Sequence, residues 1–119
     1  MMNALIKSFG YAWKGIVVAI REQRNLRIHL SITSLVVAAG FYFHITAVEW
    51  CILLLSIGLV IGLELINSSI ENLVDLVTRE RQPLAGKVKD IAAGAVLIVS
   101  VISVIIGLII FLPYISTLG

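Results

Sequence analysis

Residues 50–75, WCILLLSIGLVIGLELINSSIENLVD, decide how this chain folds. The run that begins at Trp50 is almost wholly apolar and suits a membrane-crossing helix. Its downstream end turns polar on one side only. On a helix, Glu64, Asn67, Ser68, Glu71 and Asp75 follow an i, i+3, i+4, i+7, i+11 spacing and share a face. At a rise of ~1.5 Å per residue, Glu64 lies roughly 16 Å along the axis from Asp75, about half the thickness of a bilayer core. One face therefore carries a carboxylate at membrane depth and two more near the membrane surface. A charged group at the bilayer centre costs ~2.5–3.5 kcal/mol even on lenient scales, so an acid there marks a site.

The surrounding composition agrees. Of 119 residues, 60% are hydrophobic and 13% charged, and the mean hydropathy is +1.07. These values exclude an ordinary soluble domain and fit one compact membrane unit. All nine Lys and Arg residues fall in two clusters, Lys7, Lys14, Arg21, Arg24 and Arg27, then Arg79, Arg81, Lys87 and Lys89. They flank apolar spans and form no nucleic-acid patch, so no nucleic-acid partner is expected. The single Cys51 excludes an internal disulfide and is expected to be a packing residue. The opening MMNALIKSFGYAWKG lacks the continuous apolar segment and small-residue cleavage site of a signal peptide.

Four helical segments are expected. Residues 2–24 read as an amphipathic interfacial helix, with Leu5, Phe9, Trp13, Ile16 and Ile20 on one stripe and Lys7, Lys14 and Arg21 on another face. The spans are 26–44, 50–78 with an extension past the bilayer, and 87–113. Gly58-x-x-x-Gly62 is expected to allow close helix contact, as are the small residues Ala92 to Ala95. Pro83 and Gly86 punctuate a polar loop over 79–86. His29 and His44, on opposite sides of the first span, are read as single interfacial residues with no metal spacing between them. Because the N-terminal segment and the 79–89 region hold every Lys and Arg, both should be cytoplasmic. The 44–49 loop and the C-terminus should then face outward.

That topology gathers Glu64, Asn67, Glu71, Asp75, Lys89 and Asp90 at the cytoplasmic interface. Carboxylates there suit Mg²⁺, which favours oxygen ligands and bound phosphates. Lys89 and the arginines could neutralise phosphate charge, and Glu64 could take a proton from a hydroxyl arriving through the lipid. The chain contains no G-x-x-x-x-G-K-[ST] or G-x-G-x-x-G motif. A nucleotide would therefore be held by a helical carboxylate frame. The sequon Asn67-Ser68-Ser69 falls on a cytoplasmic helix, which excludes glycosylation.

The run Glu64-Leu-Ile-Asn67-Ser-Ser-Ile-Glu71-x-x-Val-Asp75, with Lys89-Asp90-x-Ala-Ala-Gly-Ala downstream, resembles the prokaryotic diacylglycerol kinase family. So do Gly10 to Gly15 and Asn25-Leu-Arg-Ile-His29, which extends the resemblance over nearly the whole chain. The Arg-Asn-Leu-Arg-Ile-His stretch and the Gly-Leu-Ile-Ile-Phe-Leu-Pro end look like the Gram-positive branch, whose usual acceptor is undecaprenol. The resemblance implies an all-α homotrimer in the bacterial cytoplasmic membrane, with a surface helix and three spans per protomer and active sites shared between neighbours. It implies Mg-ATP-dependent phosphorylation of a lipid hydroxyl, undecaprenol or alternatively diacylglycerol.

Carried over to this sequence, Glu64 would be the general base, Asn67 its positioning partner and Glu71 a metal ligand. Tyr11, Asp75, Glu80, Arg81, Gln82, Lys89 and Asp90, with Glu71, would contact ATP. Lys7, Ser8, Trp13 and Asn25 would border the lipid beside Glu64 and Asn67. Two positions depart from the pattern. A second metal-binding Glu is replaced by Gln23, with Glu22 adjacent as a substitute, and Ala4 stands where the family often carries an arginine. A rival from another class is a small transporter or proton channel built on Glu64. It would require a water-filled path and no nucleotide dependence, and it leaves Lys89 and Asp90 without a role.

Overall fold

The computed structural model describes residues 2–118, and the regular structure among them is entirely helical. The elements are α1 (Met2–Glu22), α2 (Arg24–Phe43), α3 (Ala47–Val77) and α4 (Pro83–Ser116). α2, α3 and α4 are each long and apolar enough to cross a membrane. The 20 residues of α2 span about 30 Å, close to the hydrocarbon thickness. With 31 and 34 residues, α3 and α4 overrun it. The chain forms a slab of 55 × 43 × 21 Å in which α3 and α4 make the principal packing pair.

The break between α1 and α2 falls at Gln23, whose backbone is extended (φ −107°, ψ 109°), so the first helix stops at Glu22 rather than running to residue 24. Arg27 fixes this corner. Its Nη1 donates to the carbonyls of Ile20 and Arg21, each at 2.8 Å, satisfying acceptors that the end of α1 leaves open. Leu26 is fully buried beside the corner.

The second turn is built from both sides. His44 takes a left-handed conformation (φ 53°, ψ 52°) and its N–H returns to the carbonyls of Gly40 and Phe41, closing α2. Thr46 then opens α3 with a capping box, its hydroxyl accepting from the Glu49 N–H and the Glu49 carboxylate accepting from the Thr46 N–H. The helix accordingly starts at Ala47, three residues before Trp50. The Trp50 ring is half-buried, stacks obliquely on Phe41 and lies directly over Gly40. A Cβ at position 40 would meet that ring at 2.6 Å, so glycine is required by the close approach. Ile45, Leu53 and Ile110 form the core at this end, ringed by Phe43, Trp50 and Tyr114, whose hydroxyl donates to Glu49.

Deeper in the bundle Ser56 donates to Ser103 at 2.6 Å, joining α3 to α4. Several sequence expectations change here. Apart from α3's own backbone, no atom among the described residues lies within 4 Å of a Cβ built at Gly58 or Gly62, so within one protomer that motif has no close neighbour. The approach is made instead through Ser56 on α3 and, on α4, through buried Ala92 and Val96. Cys51 is exposed and not a packing residue. Pro83 starts α4 as its first helical residue, where its missing N–H costs nothing, so the polar loop shrinks to residues 78–82. α4 also continues through Pro113 to Ser116.

Candidate functional site

Glu64 sits on α3 and is only 2% exposed, the most deeply buried charged side chain among the described residues. Its carboxylate has one ionic neighbour there, His29 of α2, with Nε2 3.7 Å from Oε2. One turn further along α3, Asn67 is buried, and its Oδ1 has no hydrogen-bond partner among the described residues. Ser68, also buried, spends its hydroxyl on the Glu64 carbonyl at 3.0 Å. A buried carboxylate and a buried amide oxygen are thus both short of donors. Such acceptors are costly to leave unmade and suit a ligand that brings an O–H.

About three turns along α3, a second constellation forms between α3 and α4. Lys89 Nζ meets Asp75 Oδ1 at 2.7 Å. The pair lines a cleft of about 530 Å³ that also takes in Thr78, Arg79, Glu80, Arg81 and Gln82. Three cations and two acids line this cleft. It is large enough for a small polyanionic ligand. The 78–82 connection holds its shape partly through the Glu80 N–H, which donates to Thr78 Oγ1 at 3.1 Å.

The sequence-nominated residues therefore divide. Asp75, Glu80, Arg81, Gln82 and Lys89 come together around one cleft. Glu64 and Asn67 form a buried station below it, and half-buried Glu71 lies on α3 between the two. Asp90, Tyr11, Lys7, Trp13 and Asn25 are exposed and line neither place. Ser8 is exposed and back-bonds to the Ala4 carbonyl. His29, read from the sequence only as a single interfacial residue with no metal spacing to His44, is the residue against Glu64. Its signal in the sequence was faint, because the pair joins different helices across 35 positions.

For a metal ion the donors are oxygen atoms of the hard type that Mg²⁺ prefers. Glu71 makes no ion pair among the described residues and keeps its carboxylate available. Half-buried Gln23, at the α1–α2 break, offers only a neutral amide oxygen, and adjacent Glu22 is exposed. No group of three or more His, Cys, Asp or Glu side chains that could hold a metal occurs among the described residues. That suits an ion held by one or two protein oxygens and by phosphates rather than by a closed protein cage.

The model of a family described as prokaryotic diacylglycerol kinase matches residues 10–111. The chain is 46% identical over 112 residues to an undecaprenol kinase of Bacillus subtilis, covering 94% of this chain and 91% of that protein. It is 42% identical over 110 residues to a diacylglycerol kinase of Synechocystis, covering 92% of this chain and 63% of that one. It is 34% identical over 101 residues to a diacylglycerol kinase of Escherichia coli, covering 85% and 83% respectively.

Proposed function

This chain belongs to the prokaryotic diacylglycerol kinase family, and from that membership we propose that it is a membrane lipid kinase passing the γ-phosphoryl group of ATP to undecaprenol. The observation that carries the chemistry is Glu64, a buried carboxylate on a membrane-length helix one turn from an unpaired Asn67 oxygen. The preference for undecaprenol rests on 46% identity to a kinase of that name across nearly its whole length, against 34% for the Escherichia coli diacylglycerol kinase.

Phosphoryl transfer asks mostly for positioning and charge neutralisation. The acceptor hydroxyl enters from the lipid side and donates to Glu64, which takes its proton as the oxygen attacks phosphorus. Asn67 orients the same hydroxyl through its amide N–H, which donates to the acceptor oxygen while the hydroxyl's one proton goes to Glu64. Lys89, Arg79 and Arg81 line the cleft that receives the phosphates, and Lys89 is already oriented by Asp75. Glu80, Gln82, Tyr11 and Asp90 complete the nucleotide contacts. Glu71, with Gln23 or Glu22, would hold Mg²⁺, which when bound neutralises phosphate charge.

The chain works as a homotrimer, with each site completed by a neighbouring protomer. The unfilled Gly58–Gly62 surface, open to a neighbouring helix, supports this reading. α1 has no buried residue, and Leu5, Phe9 and Trp13 are strongly exposed, as expected of an amphipathic helix lying on the membrane. Lys7, Ser8, Trp13 and Asn25 then border the lipid entry. The N-terminus and the site face the cytoplasm in this reading, which the positive charge on α1, at the start of α2 and around residues 79–89 supports.

The test is phosphorylation from labelled ATP in mixed micelles offering undecaprenol and diacylglycerol side by side. Preferential labelling of undecaprenol is expected. Labelling of diacylglycerol alone would reassign the acceptor, and labelling of neither would remove the kinase reading.

A further inference from the structure

Transfer to an alcohol releases one proton per turnover, and Glu64 is the group that receives it. At 2% exposure that carboxylate is almost wholly withdrawn from the surface. Unless the proton leaves, the base stays neutral and the next acceptor hydroxyl meets an acid instead of a carboxylate. The structure supplies one titratable neighbour within ion-pair range, His29, whose side chain is 23% exposed while that of Glu64 is 3% exposed.

We propose that His29 is the positioning and proton-exit partner of Glu64, holding the carboxylate toward the acceptor and carrying the released proton from the buried site to solvent. The proposal rests on the reading of Glu64 as the base.

The step balances. The acceptor O–H bond breaks as its oxygen bonds to the γ-phosphorus, and the bond from that phosphorus to the bridging oxygen of ADP breaks. The proton passes from the acceptor oxygen to Glu64, then to His29 Nε2, and the imidazolium loses its Nδ1 proton to water. Imidazole suits this because it has one nitrogen to accept a proton and a second to release one. The 3.7 Å separation is longer than a hydrogen bond. It lies within reach of a side-chain torsion as the site tightens around substrate.

The surroundings leave the pair to itself. Among the described residues the other ion pair is Lys89–Asp75, at the cleft, and Arg27, two residues before His29, is turned to the α1 carbonyls. Among the described residues, neither Glu64 nor His29 makes a second ion pair. A contact between His29 and buried Glu64 also ties α2 to α3, so a purely structural role must be separated from proton transfer.

The experiment uses the full chain in mixed micelles with His29→Ala, the isosteric His29→Gln and a Glu64→Gln control, rates being expressed per assembled protein. His29→Ala and His29→Gln should each lower kcat about 100-fold, the low end of what positioned proton-transfer groups contribute, with KM for ATP unchanged. Added imidazole should restore turnover of His29→Ala in proportion to its concentration and leave wild type unaffected. Wild-type kcat in His29→Gln would overturn the proposal. So would a lowered kcat in His29→Ala that imidazole leaves unmoved, since that is the behaviour of a packing residue. Should His29→Ala fail to assemble, the kcat of His29→Gln decides. An inactive Glu64→Gln beside a fully active His29→Gln would remove only the exit partner, whereas a fully active Glu64→Gln would remove the base itself.

Discussion

Replacing Lys89 by Met separates what this side chain does for the fold from what it does for the reaction. The Lys89–Asp75 contact is 2.7 Å long, but the two side chains are 37% and 45% exposed. In a water-like dielectric a contact of that length is worth about 1.5 kcal/mol. Ordering a lysine costs up to ~2 kcal/mol. The net contribution to stability is therefore within ~1 kcal/mol of zero, as for most exposed ion pairs. Met keeps the apolar stem that crosses the mouth of the cleft, so assembly and thermal unfolding should barely move. A cation aimed at the charge that develops on transferring phosphate is another matter. Removing one preorganised stabilising group costs about 100- to 1,000-fold in kcat, or ~2.7–4 kcal/mol. Initial rates at varied ATP in mixed micelles, alongside thermal unfolding of the solubilised protein, measure both quantities. A kcat/KM for ATP within about fivefold of wild type, which is what 1 kcal/mol amounts to, would refute a phosphate role for Lys89.

Other perturbations test the frame around the site. Gly40→Ala would push a methyl group into the Trp50 ring and should destabilise by ~1–3 kcal/mol, less the ~1 kcal/mol that alanine gains in a helix. Thermal unfolding should show that Trp50→Leu in the same chain removes most of this penalty. Arg27→Gln strips the guanidinium from the Ile20 and Arg21 carbonyls and should cost ~0.3–1 kcal/mol, visible as faster amide exchange over the last turn of α1. Gln23→Glu adds a carboxylate at the α1–α2 break and should raise turnover or lower the Mg²⁺ concentration needed for half-maximal rate. If neither changes, position 23 has no part in metal binding.

Much of this architecture was legible because the membrane leaves few alternatives. A run as apolar as 50–63 has to be a helix, and an acid at position 64 has to be sheltered. The pairing of Asp75 with Lys89 was also within reach, since the short connection over 78–82 brings the end of α3 beside the start of α4. Local punctuation was legible but read incompletely. Thr46-x-x-Glu49 is a capping box that sets the start of α3 at Ala47, and Pro83 is a helix opener rather than a loop residue. Gly58-x-x-x-Gly62 permits close contact without specifying which surface supplies it, and no neighbour within the protomer fills it. The glycine that does touch a neighbour, Gly40, belongs to no motif, and its need is set by a tryptophan ten positions away. His29 against Glu64 was hidden for the same reason: which residues of α2 face α3 depends on the turn at His44 and Thr46.

Glu64→Gln measures the central claim most directly, because the amide keeps the size of the side chain and removes its capacity to accept a proton. Assayed with ATP and undecaprenol in mixed micelles, the variant should assemble as wild type does and lose turnover by ~100-fold or more, as expected on removing a general base. Wild-type turnover by the assembled Gln variant would contradict the account.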